Sequence, residues 1–156
     1  MKPKIYIDTS VIGGCFDNEF EEWSNKLISE ILSGNKIVLI SDLTVDEIQD
    51  APQNVQDKLN ELMKSEFKEL ITSNNESVEL AEFYIHEGVI TRKYFEDALH
   101  IALATINKAT VMSSWNFKHI VNLDRIRLYN AVNIKKGYYL LEIRSPRDII
   151  KPDEYD

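Results

Sequence analysis

Cysteine is almost missing from this chain. Cys15 is the single one in 156 residues, so no internal disulfide can form. Its neighbours Gly14 and Phe16 offer no metal-ligand spacing either, and Cys15 reads as a structural residue near a loop. That usage fits a reducing, cytoplasmic setting. Long apolar runs are also lacking: none approaches the roughly 18 residues of a membrane span, so no membrane partner is expected. The N-terminus passes from Lys2 straight into a short apolar strand, and no signal peptide is expected. Glycine and proline number only 5 and 4, and no Pro/Gly-rich linker, repeat or low-complexity block divides the chain. One domain over residues 1–156 is expected, with a short polar tail from about residue 145. Positive charge is short as well: 18 Lys and Arg face 26 Asp and Glu, a net charge of −8. A protein that holds nucleic acid by its overall field is normally basic. Any polyanion here must be held by a local patch or through metal ions.

What is present is an alternation of strand and helix. Lys4 to Asp8 reads as a strand, followed by a helix from Phe20 to Leu32 with Gly34 as its stop. KIVLI, residues 36 to 40, is the continuous apolar run of a central parallel strand. Ser41 or Asp42 can cap a short helix from Leu43 to about Asp50, and Pro52 suits the first turn of a helix running to Met63. Phe67 to Thr72 reads as a short edge strand, and Ser77 to Glu87 as a helix ending at Gly88. Thr91 can cap the helix RKYFEDALHIALATINKA. Thr110 to Ser113 and Tyr138 to Ile143 complete the strands, with helices over Asn116–Asn122 and Arg125–Ile134 between them. This order predicts a three-layer α/β/α sandwich around a mainly parallel sheet. In such sheets, sites form outside the carboxyl ends of the strands, where Asp8, Ser41 and Ser113 fall.

Four stretches carry chemistry. Asp8 ends an apolar strand in IYIDTSVI, where a charge without a partner is costly. Asp97 opens DALHIALA, a segment apolar almost all round and therefore buried. It lies well past the expected cap at Thr91, where the helix dipole has faded, so a site role outweighs a dipole role. Glu47 follows a central strand in SDLTVDEI; alone it reads as a solvated helix residue, and Asp46 points about a hundred degrees away from it. SSWNFKHI leaves a strand and offers Asn116 as a cap and His119 as a satisfied surface or partly buried histidine. His86 and His100 read as structural. Carboxylates converging without matching cations call for a hard divalent ion, Mg²⁺ or Mn²⁺ rather than zinc. Such a site suits phosphodiester hydrolysis.

Together these stretches resemble the motifs of the PIN-domain family, which includes VapC-type toxin ribonucleases, over nearly the whole chain from Ile5 to about Ile143. The resemblance places metal-binding carboxylates at Asp8, Glu47 and Asp97, with the hydroxyl after the first aspartate at Thr9 or Ser10. The fourth motif falls on Asn116 and His119, a neutral amide where many relatives carry an acid. It implies a Mg²⁺- or Mn²⁺-dependent endoribonuclease. Asp8, Glu47, Asp97 and Asn116 would be catalytic, and Thr9, Ser10, Asn116 and His119 would contact substrate. It further implies RNA as substrate, an antitoxin protein as partner if the chain is the toxin of a type II pair, and a homodimer as in many relatives. Lys118, Arg92 and Lys93 read as solvated charges or backbone contacts, and Trp115 as core or a base-stacking ring. A haloacid-dehalogenase-like phosphatase fits poorly, because its second aspartate would fall on Ser10. The alternative of another class is a PIN-like module with weak or no activity that binds RNA or a partner protein.

Overall fold

Alternation along the strands sets the layers. In a computed structural model describing residues 1–150, Ile5 and Ile7 of β1 (Lys4–Ile7) face one side of the sheet and Tyr6 faces the other. Strand β2 (Ile37–Ser41) repeats the pattern: Val38 and Ile40 on the first side, Leu39 on the second. Strands β3 (Lys68–Ile71), β4 (Val111–Ser113) and β5 (Ile143–Arg144) complete a five-stranded, all-parallel sheet in the order β3-β2-β1-β4-β5. Helices α1 (Thr9–Gly14), α2 (Glu21–Leu32), α4 (Gln53–Met63) and α8 (Pro146–Ile149) cover the side of Ile5 and Ile7. Helices α5 (Asn75–His86), α6 (Phe95–Ile106) and α7 (Leu123–Lys135) cover the side of Tyr6. The expected three-layer sandwich is therefore present. Helix α3 (Asp42–Ile48) stands at the carboxyl end of β2, capped by Ser41, whose hydroxyl accepts the Thr44 N–H. Among the described residues no helix is long and apolar enough to cross a membrane.

Topology fixes where the site falls. β1, β2 and β3 step outward in one direction, and the chain then returns to lay β4 on the other side of β1. The reversal opens a crevice at the carboxyl ends of β1 and β4. Asp8 leaves β1 there, with its N–H donated to the Ser113 carbonyl, and Ser114 leaves β4 beside it.

Several boundaries differ from the sequence reading. The sequence reading assigns no element to Thr9–Gly14, yet Asp8 caps a helix there and Val11 and Ile12 are fully buried. Residues 117–120 form a single turn instead of a helix: the Asn116 side chain caps it through the N–H groups of Lys118 and His119, and the Ile120 and Val121 N–H groups both close on the Asn116 carbonyl. Of the strand expected over Tyr138–Ile143 only Ile143 pairs, and Arg144 beyond it joins the ladder, since the Asn130 side chain occupies both the N–H and the carbonyl of Leu141. The tail read as polar from about residue 145 is corrected in part: Ser145 caps α8, which packs on α2, and Ile150 is buried. Its last six positions, 151–156, lie outside the described residues. Gly34 ends α2 as expected, with φ +89, and any Cβ there would press on the Phe67 ring at 2.8 Å.

Candidate acidic site

Asp8 sits at the bottom of the crevice, 5% exposed. One carboxylate oxygen accepts the Ser10 hydroxyl at 2.6 Å and the Val11 N–H at 3.3 Å; the other accepts the Ser114 hydroxyl at 2.6 Å. Ser10 Oγ in turn accepts the Trp115 N–H at 2.9 Å, and Ser114 Oγ accepts that of Asn116 at 3.0 Å. The two strand exits are thus stitched together around a single carboxylate. Burial nevertheless pushes Asp8 above the ordinary carboxylate range, opposed only in part by His100 and these hydrogen bonds.

Glu47 reaches the site from the last turn of α3, with its side chain 33% exposed. Its Oε1 accepts the Thr9 hydroxyl at 2.9 Å and lies 2.5 Å from His100 Nε2. Burial opposes its ionisation, but the His100 and Thr9 hydrogen bonds outweigh that and hold it below its usual value. Behind His100 runs a buried relay: Nδ1 lies 2.6 Å from the Tyr6 hydroxyl, which lies 2.9 Å from Ser41 Oγ. Nε2–H donates to Glu47, and the Tyr6 hydroxyl bridges Nδ1 and Ser41 Oγ. Asp46, next to Glu47, is exposed and outside this network.

Asp97 requires a correction. The sequence reading starts its helix at Arg92, but Arg92–Tyr94 is a single 3₁₀ turn and α6 begins at Phe95. Asp97 is therefore in the first turn, where the helix dipole favours a carboxylate. It also belongs to the crevice, since the Asn116 amide donates to its Oδ2 at 3.3 Å. Burial raises Asp97 first, and the charges of Asp8 and Glu47 raise it further against the pull of His100. His119 is placed differently. Its ring packs on Tyr94 with centroids 3.9 Å apart, Nδ1 is buried without a hydrogen-bond partner, and burial lowers its pKa.

The donor chemistry fits a hard divalent ion. Asp8, Glu47 and Asp97 are all oxygen donors, near enough for the other two to raise Asp97, and no Lys or Arg pairs with them among the described residues. As oriented, however, no three Asp, Glu, His or Cys side chains among the described residues form a group ready to hold a metal. Glu47 is turned toward His100 and Thr9 instead. Thr9 and Ser10, expected at phosphate, direct their hydroxyls at the carboxylates.

Sequence reasoning missed Ser114, Tyr6 and the role of His100. A signal existed for the last two: Tyr6 alternates away from Ile5 and Ile7 into the layer of α6, where His100 is the polar group of an apolar helix. Buried polar groups need partners, and these two are each other's.

No protein-family model and no curated protein matches the chain. Solved structures do. VapBC2 from Rickettsia felis, crystallised with a DNA fragment from its promoter, superposes with a TM-score of 0.58 at 14% identity, covering 91% of this chain and 98% of that one. VapC20 of Mycobacterium tuberculosis, a toxin that cleaves the sarcin-ricin loop, gives 0.57 at 12% identity, covering 88% and 98%. The chain has the PIN-like fold of VapC-type toxins.

Proposed function

We propose that this chain is a divalent-metal-dependent endoribonuclease of the VapC type, acting in the cytoplasm and paired with an antitoxin protein. One observation carries the reading: Asp8, Asp97 and Asn116 converge at the β1–β4 crevice with Glu47 alongside, and among the described residues no Lys or Arg pairs with these carboxylates. The fold shared with VapC-type toxins supports it. Asp8, Glu47 and Asp97 would hold Mg²⁺ or Mn²⁺, which supplies positive charge for phosphoryl oxygens and acidifies water. Ser10 and Ser114 hold Asp8 rigid, Thr9 and His100 hold Glu47, and the Asn116 amide both orients Asp97 and offers a neutral donor beside the phosphate. The Thr9 and Ser10 hydroxyls, at the same rim, are the nearest candidates to bond a phosphate oxygen once the carboxylates turn to an ion. His119 stands behind this rim with an unpartnered Nδ1, and its substrate role is the most distant of those assigned.

A second reading has its own observation. The carboxylates do not form a ready three-ligand group, and Asn116 is neutral, as in a PIN-like module that binds RNA or protein without cutting. Melting in Mn²⁺ or Mg²⁺ and cleavage of pooled RNA separate the two. The nuclease reading expects both ions to raise the melting temperature of the parent and not of Asp8→Asn, and expects Asp97→Asn to abolish cleavage. No thermal response in the parent, or equal cleavage by Asp97→Asn, overturns it in favour of the second.

A further inference from the structure

The exit of β4 carries more aromatic surface than the carboxylate site uses. Trp115 belongs to the core: its Nε1–H donates to Ser24 Oγ at 2.8 Å, and its ring stacks on Phe20 with centroids 4.2 Å apart and planes 18° apart. Phe117 does not. It is 51% exposed, and its ring stands edge-on to Trp115 at 6.1 Å and tilted against Phe20 at 6.4 Å. A lone exposed phenylalanine needs no explanation. This one has neighbours that give it a direction. Two aromatic rings fix its orientation in advance, as a binding surface of low entropy requires. Asn116, the residue before it, bonds Asp97 and is joined through Ser114 to Asp8. Lys118, the residue after it, is exposed and in no ion pair among the described residues.

In the sequence the ring follows Asn116 of the acidic site and precedes the exposed Lys118, an order that matches the repeating chemistry of a nucleotide, with a flat base flanked by phosphates. We propose that Phe117 is a stacking platform for one base of a single-stranded RNA, with the adjacent phosphate at the acidic site and Lys118 on the next. This rests on the ribonuclease reading and adds to it the residue that holds a base. Only an unstacked base presents its face, so duplex RNA is excluded from this contact. Stacking also resolves a difficulty raised by the net charge of −8, which gives RNA no long-range attraction. The interaction between a base and a ring is independent of net charge and tolerant of sequence.

The test is anisotropy of a labelled, phosphorothioate-linked single-stranded oligoribonucleotide with the full chain in Mn²⁺. Phe117→Ala weakens binding about tenfold. Phe117→Leu, which keeps apolar area but loses the ring face, weakens it nearly as much, and Phe117→Trp restores it. Against an abasic oligonucleotide, parent and Phe117→Ala bind alike. Unchanged affinity in Phe117→Ala, or full affinity in Phe117→Leu, overturns stacking while leaving the nuclease reading intact. If Phe117→Ala instead spares RNA binding and abolishes self-association in sedimentation, the ring serves an interface between copies and stacking is likewise overturned. A parent that binds no oligonucleotide overturns both readings together.

Discussion

Tyr6→Phe removes one oxygen atom from the middle of the sheet and tests whether the buried relay ties Glu47 to the fold. The Tyr6 hydroxyl has two partners, Ser41 Oγ at 2.9 Å and His100 Nδ1 at 2.6 Å, and the side chain is fully buried. Burial is so complete that the phenol is pushed far above its ordinary range, so it acts as a neutral hydroxyl. Without it, Ser41 keeps the Thr44 hydroxyl and N–H as partners. His100 Nδ1 keeps nothing, and the ring is 2% exposed, so water does not readily replace the loss. One buried group left unsatisfied costs about 1–3 kcal/mol. At about 2–4 °C per kcal/mol for a chain of this size, the melting temperature falls by roughly 4–8 °C for a central value of about 2 kcal/mol. Urea unfolding at unchanged m-value measures the loss directly. The relay makes a sharper claim in a double-mutant cycle. Glu47→Gln and Tyr6→Phe share His100, so their effects should depart from additivity by about 1 kcal/mol. Additive effects within about 0.5 kcal/mol, or a Tyr6→Phe cost smaller than that, refute the relay.

Acid titration in a chelator separates the carboxylates. Asp8 has a folded value raised above 3.8, so its charge costs stability at higher pH and that cost is relieved as pH falls through the folded value. Urea melts of Asp8→Asn should lose this gain on mild acidification. Glu47 has the opposite sign: lowered from 4.5, it contributes stability above that pH which is lost as pH falls through its folded value, and Glu47→Gln removes that loss. Gly14→Ala places a Cβ 2.7 Å from both Ser24 Oγ and Trp115 Nε1, inside their hydrogen bond. A cost of about 1–3 kcal/mol follows, with a shift in tryptophan emission. Asn74→Ala breaks the reciprocal cap with Ser77 at the start of α5 and costs about 1 kcal/mol, read as a melting temperature lower by about 2–4 °C.

The sheet was legible because its strands are short apolar runs whose alternation, Ile5-Tyr6-Ile7 and Val38-Leu39-Ile40, needs no distant information. The boundary errors lie where hydrogen bonding departs from the periodic pattern of the sequence. After Asn116 the backbone closes a single turn on its carbonyl, and Asn130 occupies Leu141 in place of a strand partner. Arg92–Tyr94 closes a 3₁₀ turn, and Tyr94, outside helical geometry, leaves α6 to begin at Phe95. The Asn130–Leu141 contact spans 11 positions, and none of these features carries a periodic signal. The residue types of the acidic site were legible as polar interruptions of apolar segments. Their orientation was not, because Glu47 answers to His100, which is 53 positions away.

The helices explain why the three carboxylates are supported so differently. Asp8 is the cap of α1, where the Val11 N–H points at it, and Asp97 lies in the first turn of α6. Both stand at helix N-termini, where the backbone offers partial positive charge. Glu47 occupies the last turn of α3, the end at which the dipole repels an anion. It is also the one of the three that receives both a histidine and a threonine. The shifts differ in direction: His100 and the Thr9 hydrogen bond carry Glu47 below its usual range, whereas at Asp8 and Asp97 burial outweighs His100 and the hydrogen bonds they accept. His100 therefore compensates for the position the topology gives Glu47. Replacing it with alanine should leave Glu47 at an unfavourable helix end with Thr9 alone, and its carboxylate should then titrate higher, as carboxyl NMR in a chelator would show. An unchanged Glu47 titration in His100→Ala would mean that Thr9 suffices and that the relay serves only the core.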